Sequence, residues 1–444
     1  MSKFLIIIGT AALASACAVS PHQISDKERA ERAVSDLETM FKGQDPVKEP
    51  ISLSEAIARA VKYNLDHRVK LMEKAVVRAE SELARMDLLP AITADAGYTT
   101  RSNVAASSSE SILTGRQSLE PSTSQERTRS LANLNVVWNV LDFGVSYVTA
   151  QQRADRILIA EEERRKAVEN IVQDVRVAYW NAVAADQLTK ETDELLERTH
   201  KALKESQTMQ AQGVQTPLTS MQYQEGLLAT LRNLLQLRQR LNTAKTELAS
   251  LMNVRPGTDF QLQPDDIDRQ VPEIKTVVPE LEEYGLLHRP ELIEEDYRLQ
   301  VDSAEIRKAM LRMLPGIEIN AGVHYDSNDF LVNNDWADAG LRISWNLFNL
   351  FRAPKEKKRA QAQVDLDNTR RLATGMAVLT QINVAKQQYK NSREDYRLAQ
   401  NLLEVKTDIA EQERSRYKAQ VSDELTLIRT RLDRLVALMQ RDLA

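Results

Sequence analysis

From Val145 to Gln212 the chain runs for 68 residues without a Gly or a Pro. Nothing in this run breaks a helix, and as one helix it reaches about 100 Å at 1.5 Å per residue. Val168, Ile171, Val175, Ala178, Ala182 and Ala185 recur at the alternating spacing of three and four that coiled-coil packing uses. Gly213 to Pro217 interrupts the run. A second helix then returns with Leu227, Leu231, Leu234, Leu237, Leu241, Ala244 and Leu248 at the same spacing, so the two form an antiparallel helical hairpin. Only 13 Gly and 13 Pro punctuate all 444 residues, and 28% of residues are charged against 5% aromatic. That composition suits long, surface-rich helices better than several compact domains.

Four segments carry a different period. Gly316 to Asp326 alternates Ile317, Ile319, Ala321, Val323 and Tyr325 with Glu318, Asn320, Gly322, His324 and Asp326. Ala91 to Arg101, Leu131 to Leu141 and Ala339 to Leu347 alternate in the same way, as two-faced strands do. Each has the length of a tilted strand crossing a bilayer. No apolar run after residue 20 is long enough for a spanning helix, so a membrane crossing has to be made of strands. The polar set Thr93, Asp95, Asn133, Asn135, Glu318, Asn320 and Arg342 would face a wet lumen.

In chain order, residues 1–16 read as a signal peptide: Lys3, an apolar run from Phe4 to Leu13, then small residues. The lone cysteine, Cys17, follows directly. It resembles the lipidation site of bacterial lipoproteins, whose thiol is acylated (palmitate included) and becomes the mature N-terminus, although Leu13 sits one place early and Ala14 occupies the favoured Leu position. With no second cysteine there is no intrachain disulfide. Residues 17–50 form a polar N-terminal segment that wraps a surface. Ser52 and Glu55 open a helix through Ala60, and a second helix spans Asp66 to Leu88. A loop from Ser102 to Ser130, rich in Ser, Thr and Gln, belongs at an exposed tip. Residues 253–290, with Pro256, Pro264, Pro272, Pro279 and Pro290, form a connector.

The second half restates the first. At an offset of 225, Leu89-Pro90 matches Leu314-Pro315 and Ala96-Gly97 matches Ala321-Gly322. Beyond the strand loop the offset is 207: Trp138-Asn139 matches Trp345-Asn346, Val214 matches Val421, and Leu218-Thr219 matches Leu425-Thr426. Residues 51–252 are thus one repeat and 291–444 a second, each built as helix, two strands and helical hairpin. One copy supplies four strands, whereas the smallest membrane barrels need about eight. Rotational symmetry has to supply the rest, and the polar inward set favours a water-filled twelve-stranded barrel from three copies over a packed eight-stranded one.

With the repeat, the Leu-Pro before strands one and three, the Trp-Asn pair ending strands two and four, His288-Arg289-Pro290 opening the second half and the Gly213 tip, the chain resembles the TolC-type outer-membrane efflux protein family. The resemblance covers nearly everything after residue 50. It implies an α+β membrane protein: a homotrimer with a twelve-stranded barrel in the outer membrane of a Gram-negative bacterium, continuous with a periplasmic α-helical tunnel. It further implies a passive exit duct for efflux or type I secretion, served by a periplasmic adaptor and an inner-membrane pump.

The resemblance also points to the hairpin tips, at Gly213, Val214, Leu218 and Thr219 and at Val421, Asp423, Glu424, Leu425, Thr426 and Arg429. Members of the family often close the periplasmic end with acidic rings. Here Thr219, Thr426 and Arg429 stand at those positions, which predicts a gate less sensitive to cations and pH. Trp138 and Trp345 read as interfacial anchors at strand ends. The repeat also leaves the stretch from Arg238 to Asn253 without a counterpart after Ala444, so the last helix either ends short of the connector level or is truncated. His22, His67, His200, His288 and His324 lack metal-ligand spacing, and no phosphate-binding loop or nucleophile motif occurs. With a net charge of -5 and no basic block, nucleic acid is not an expected partner. The reading is therefore not an enzyme, with no cofactor, no metal and no catalytic residue. The alternative is a soluble periplasmic coiled-coil structural or adaptor protein.

Overall fold

The computed structural model describes residues 21–47, 49–118, 120–212, 216–264 and 273–443. Helices α1 (Asp26–Met40), α2 (Leu53–Tyr63) and α3 (Leu65–Met86) lead to strand β1 (Ala91–Thr100). After the short β2 (Ala106–Ser107) and β3 (Ser122–Thr123) come β4 (Thr128–Asn139) and helices α4 (Val140–Ala211) and α5 (Pro217–Leu251). Helices α6 (Val278–His288) and α7 (Pro290–Leu311), strands β5 (Gly316–Asp326) and β6 (Asp335–Ser344), and helices α8 (Asn349–Lys418) and α9 (Glu424–Leu443) complete the order.

The expected long helix is α4, 72 residues, and it starts earlier than Gly144. Asn139 is the reason: its side chain accepts the amides of Leu141 and Asp142, capping a helix that therefore begins at Val140. The same cap ends the preceding strand at Asn139 rather than Leu141. The fourth strand lies at Asp335–Ser344, not Ala339–Leu347. Its early start was hidden by Trp336, an aromatic residue on the polar side, and its end is fixed by Asn346, whose side chain accepts the Phe348 amide. Within the N-terminal segment, residues 26–40 form a helix that was not expected, because Ser25 and Glu28 form a complete capping box and open α1.

α4 and α5 pack as the spacing requires. Ile171, Val175, Ala178, Ala182, Ala185, Leu188 and Leu195 of α4 are buried with Leu227, Leu234, Leu237, Leu241, Ala244 and Leu248 of α5 in one core. Thr192 and Thr199, buried in the same stripe, return their hydroxyls to Leu188 O and Leu195 O, which satisfies them without a partner helix. Each fully buried leucine contributes about 1.5–3 kcal/mol.

At mid-length the connector closes against the bundle. Ile51 N–H donates to Gln261 O (2.8 Å) and Gln263 N–H to Ile51 O (2.9 Å). The hydroxyl of Tyr179, fully buried on α4, lies 2.6 Å from Gln263 O and 3.1 Å from Ile51 O. Asn253, at a positive φ of 55°, donates its side-chain amide to Met40 O and accepts Gln44 at its own carbonyl, fastening the end of α1 to this level.

The four long strands form one antiparallel sheet in the order β1-β4-β5-β6. Its register fixes the two faces. Thr93 and Asp95 stand opposite Asn135 and Asn133, Glu318 opposite Arg342, and Asn320 opposite Gly340, so the polar set gathers on one side. Ile92, Leu134, Trp138, Ile319, Val323, Leu341 and Ile343 occupy the other side and are exposed. The Ser-rich loop makes its own small hairpin, β2 with β3.

Candidate functional site: a two-faced sheet and the hairpin tips

Across the polar face a ladder links all four strands. Asn133 Nδ2 donates to Asp95 (2.5 Å), His324 Nδ1 lies 2.9 Å from Asn133 Oδ1, and His324 Nε2 lies 3.2 Å from Asp338 Oδ2. Trp336 stacks on His324 with ring centroids 5.2 Å apart. Arg342 pairs with Glu318 at 3.4 Å. His324 is thus a member of a polar network that crosses the sheet. Among the described residues no group of three or more His, Cys, Asp or Glu could hold a metal ion, and no helix is long and apolar enough to cross a membrane.

Trp138 ends β4 on the apolar face, with Phe143 edge-on at 5.5 Å. Trp345 lies one residue past β6, and its indole donates to Met313 O (3.1 Å), joining the end of α7 to the start of α8. Both indoles are exposed at the boundary between sheet and helices, where an amphipathic ring suits a membrane interface.

At the opposite end stand the hairpin tips. Cys17, Gly213 and Val214 lie outside the described residues. Thr216 caps α5: its Oγ1 accepts the Thr219 amide and lies 2.8 Å from the Thr219 hydroxyl, with Pro217 in the first turn. Leu218 and Val421 are exposed, whereas Leu425 is buried. The second tip turns at Gln420, with φ of 61°. Neither acidic residue there is free. Asp423 accepts both the amide (2.9 Å) and the hydroxyl (2.8 Å) of Thr426. Burial pushes its carboxyl up, and those hydrogen bonds more than offset it, holding it below the usual range. Glu424 is likewise raised by burial and brought down further by Arg198 and Tyr417.

These contacts tie α9 to α4. Arg198 reaches Glu424 through Nε and Nη2 and lies over the Tyr417 ring. One turn or two up, Glu191 receives Arg431 (3.0 Å) and Arg434. Arg429 turns instead toward α5, where Gly226 leaves room for its guanidinium and for Leu425. The sequence named Arg429 and Glu424 but missed Glu191, Arg198, Arg431 and Arg434. Their opposite charges lie more than 200 residues apart, and no local spacing reveals such a pairing.

The model of the family described as outer membrane efflux protein matches residues 57–254. No curated protein sequence matches the chain. Among solved structures, the outer-membrane channel OprN superposes with a TM-score of 0.66 at 19% identity, covering 88% of this chain and 85% of that one. CusC, described in terms of transmembrane channel formation, gives 0.65 at 17% identity over 91% and 92%. The CmeC outer membrane channel of Campylobacter jejuni gives 0.65 at 15% identity over 96% and 89%. These likenesses show a shared fold, and it is the family pattern over residues 57–254 that favours a channel over a soluble adaptor. Residues 57–254 thus carry the sequence pattern of the outer membrane efflux protein family, and the chain is folded along its length as such channels are.

Proposed function

We propose that this protein is the outer-membrane exit duct of a tripartite efflux or type I secretion system, assembled from three copies. The observation that carries the reading is the four-stranded sheet with one polar face, one exposed apolar face and two unpaired edges, β1 and β6. An unpaired strand edge in hydrocarbon leaves its amides and carbonyls without partners. Copies joined edge to edge remove both edges, and three copies make twelve strands around a lumen lined by Asp95, Asn133, Asn320 and His324.

The helices support the same assembly. Along α8, Leu372, Met376, Leu398, Leu402, Val405 and Ile409 are exposed in the single chain, as are Val69, Met72, Val76, Leu83 and Met86 along α3. Two flanking apolar stripes are what a neighbouring copy on each side would cover. The sequence repeat assigns residues 51–252 and 291–444 to equivalent halves around the connector of residues 253–290, so that the tunnel wall is built twice per chain.

Such a duct performs no chemistry of its own. An inner-membrane pump supplies energy and a periplasmic adaptor joins it to the duct at the tips, around residues 213–219 and 420–426. Because Asp423 and Glu424 are engaged by Thr426 and Arg198, the closed tip has little free carboxylate to collect cations. Cys17 would carry the lipid of an N-terminal anchor. The test is the mass of the unheated, detergent-extracted complex from outer-membrane fractions, with metabolic lipid labelling of wild type and Cys17→Ser. A trimer supports the duct, and label on wild type alone supports the anchor. A soluble monomer in the periplasmic fraction would overturn the reading.

A further inference from the structure

Just beneath the sheet, a groove between α7 and α8 is lined by Arg312, Arg352, Lys355 and Arg359, with Glu305 and Glu356 as its acids. Its cavity is about 470 Å³. The acids are matched: Glu305 pairs with Lys308 at 2.8 Å, and Glu356 pairs with Arg352 at 2.7 Å and Arg312 at 3.7 Å. Lys355 and Arg359, both exposed, have no carboxylate partner among the described residues. The first repeat carries Val145, Val148 and Gln152 where the second has Arg352, Lys355 and Arg359, so this charge is an addition to the shared plan.

Chirality decides which way the groove opens. Arg101 shares the polar parity of Thr93 to Thr99 and donates its amide to Arg127 O on the β4 side. In an L-chain seen running upward with a side chain toward the viewer, that residue's own amide and carbonyl point right. Seen from the polar face, then, β4 stands right of β1, and by strand order α8 stands right of α7. α8 descends as a right-handed helix with Ala353 and Ala360 buried, Ala360 beside Glu305 and Ala309 of α7. The residues immediately before them, Arg352 and Arg359, are turned about 100° away, toward the viewer on the polar side.

Resting on the duct reading above, we propose that Arg352, Lys355 and Arg359, repeated by symmetry, form a cationic collar in the lumen at the neck between barrel and tunnel, and that it favours passage of anionic solutes. On α3, Glu80 at this level is matched by Arg153 (2.7 Å). Asp87, which ends α3, has no cationic partner among the described residues and offsets one of the free charges. Narrow, low-dielectric walls lined by one sign of charge concentrate the opposite ion.

The experiment is the reversal potential of the full-length channel in planar bilayers under a potassium chloride gradient at low salt. The comparison is between wild type, the triple variant R352Q/K355Q/R359Q, and Lys357→Gln on the opposite side of α8. The expected result is a chloride-to-potassium permeability ratio that falls at least about threefold in the triple variant and stays unchanged in Lys357→Gln. A triple variant that conducts normally with an unaltered ratio overturns the collar and leaves the duct intact. Protein that extracts only as a soluble monomer overturns the duct itself. A second readout needs no open tip: in purified trimer, Arg359→Cys should react severalfold faster with an anionic than with a cationic methanethiosulfonate, and R352Q/K355Q should abolish the preference. Equal rates before those substitutions also overturn the collar.

Discussion

Replacing Glu191 with Gln tests whether the two hairpins are held together by charge at the tip. Glu191 on α4 accepts Arg431 and Arg434 from α9, and all three side chains are about a quarter exposed, at 25%, 26% and 25%. An exposed pair is worth about 0–1 kcal/mol, and breaking a fully buried one costs about 3–5 kcal/mol. A site between those limits, where two guanidinium groups would lose their only shared carboxylate, should lose about 1–3 kcal/mol. At about 1.4 kcal/mol per factor of ten, the undocked state of α9 becomes roughly fivefold to a hundredfold more populated. Limited proteolysis of the detergent-solubilised protein at the exposed turn near residues 419–422 should accelerate accordingly. Because the cost comes from stranded cations, E191Q/R431Q/R434Q should be cut more slowly than E191Q alone. A single variant cut at the wild-type rate, or a triple variant cut faster than the single, would refute the reasoning. The pH dependence has a definite sign. Burial raises the Glu191 carboxyl, but the hydrogen bonds from Arg434 and Arg431 outweigh it and hold it below the usual range. Its contribution is therefore complete above the ordinary carboxyl pKa and is lost only as pH falls through the lowered native value. Neutral and mildly acidic media should leave wild-type proteolysis unchanged.

Three further expectations concern other levels of the molecule. Tyr179→Phe removes the hydroxyl between Gln263 O and Ile51 O and should lower unfolding stability by about 1–2 kcal/mol, read as a reduced denaturation midpoint. Gly226→Ala should be nearly neutral, since the flexible Arg429 guanidinium can shift and helix propensity improves by about 0.8–1 kcal/mol. Gly226→Leu should instead drive Leu425 and Arg429 off α5 and speed cleavage at the tip. On α7, Asp302 is raised to about 6 by burial and by the neighbouring Asp367 carboxyl. A raised acid stabilises the fold below its unfolded pKa and loses that contribution as pH rises through the native value. Asp302→Asn should accordingly raise the thermal midpoint at pH 7.5 and change it little at pH 4.

Much of this architecture was legible in one dimension, because its periods are local. The spacing of Ile171, Val175, Ala178 and Ala182 demands a helix with one buried stripe, and the alternation in Gly316–Asp326 demands a strand with two unlike faces. Each follows from where consecutive Cβ atoms point. The gathering of the polar set on one face followed as well, since parity within a strand cannot change without a bulge. Boundaries were less secure: Asn139 resets one strand end through a helix cap and Asn346 accepts the Phe348 amide in the turn after another, geometries that a pattern of apolar residues does not encode, and Trp336 disguised four residues of β6. What only the tertiary structure decided is the meeting of residues distant in the chain. Glu191 finds Arg431 and Arg434, Tyr179 finds the backbone of Ile51 and Gln263, and His324 joins Asn133 and Asp338 because strand order and helix crossing bring them together. The side of the wall to which Arg352 and Arg359 point was equally hidden. It depends on the handedness of the sheet combined with the phase of α8 against α7, and neither the strand alternation nor the helical period contains that product.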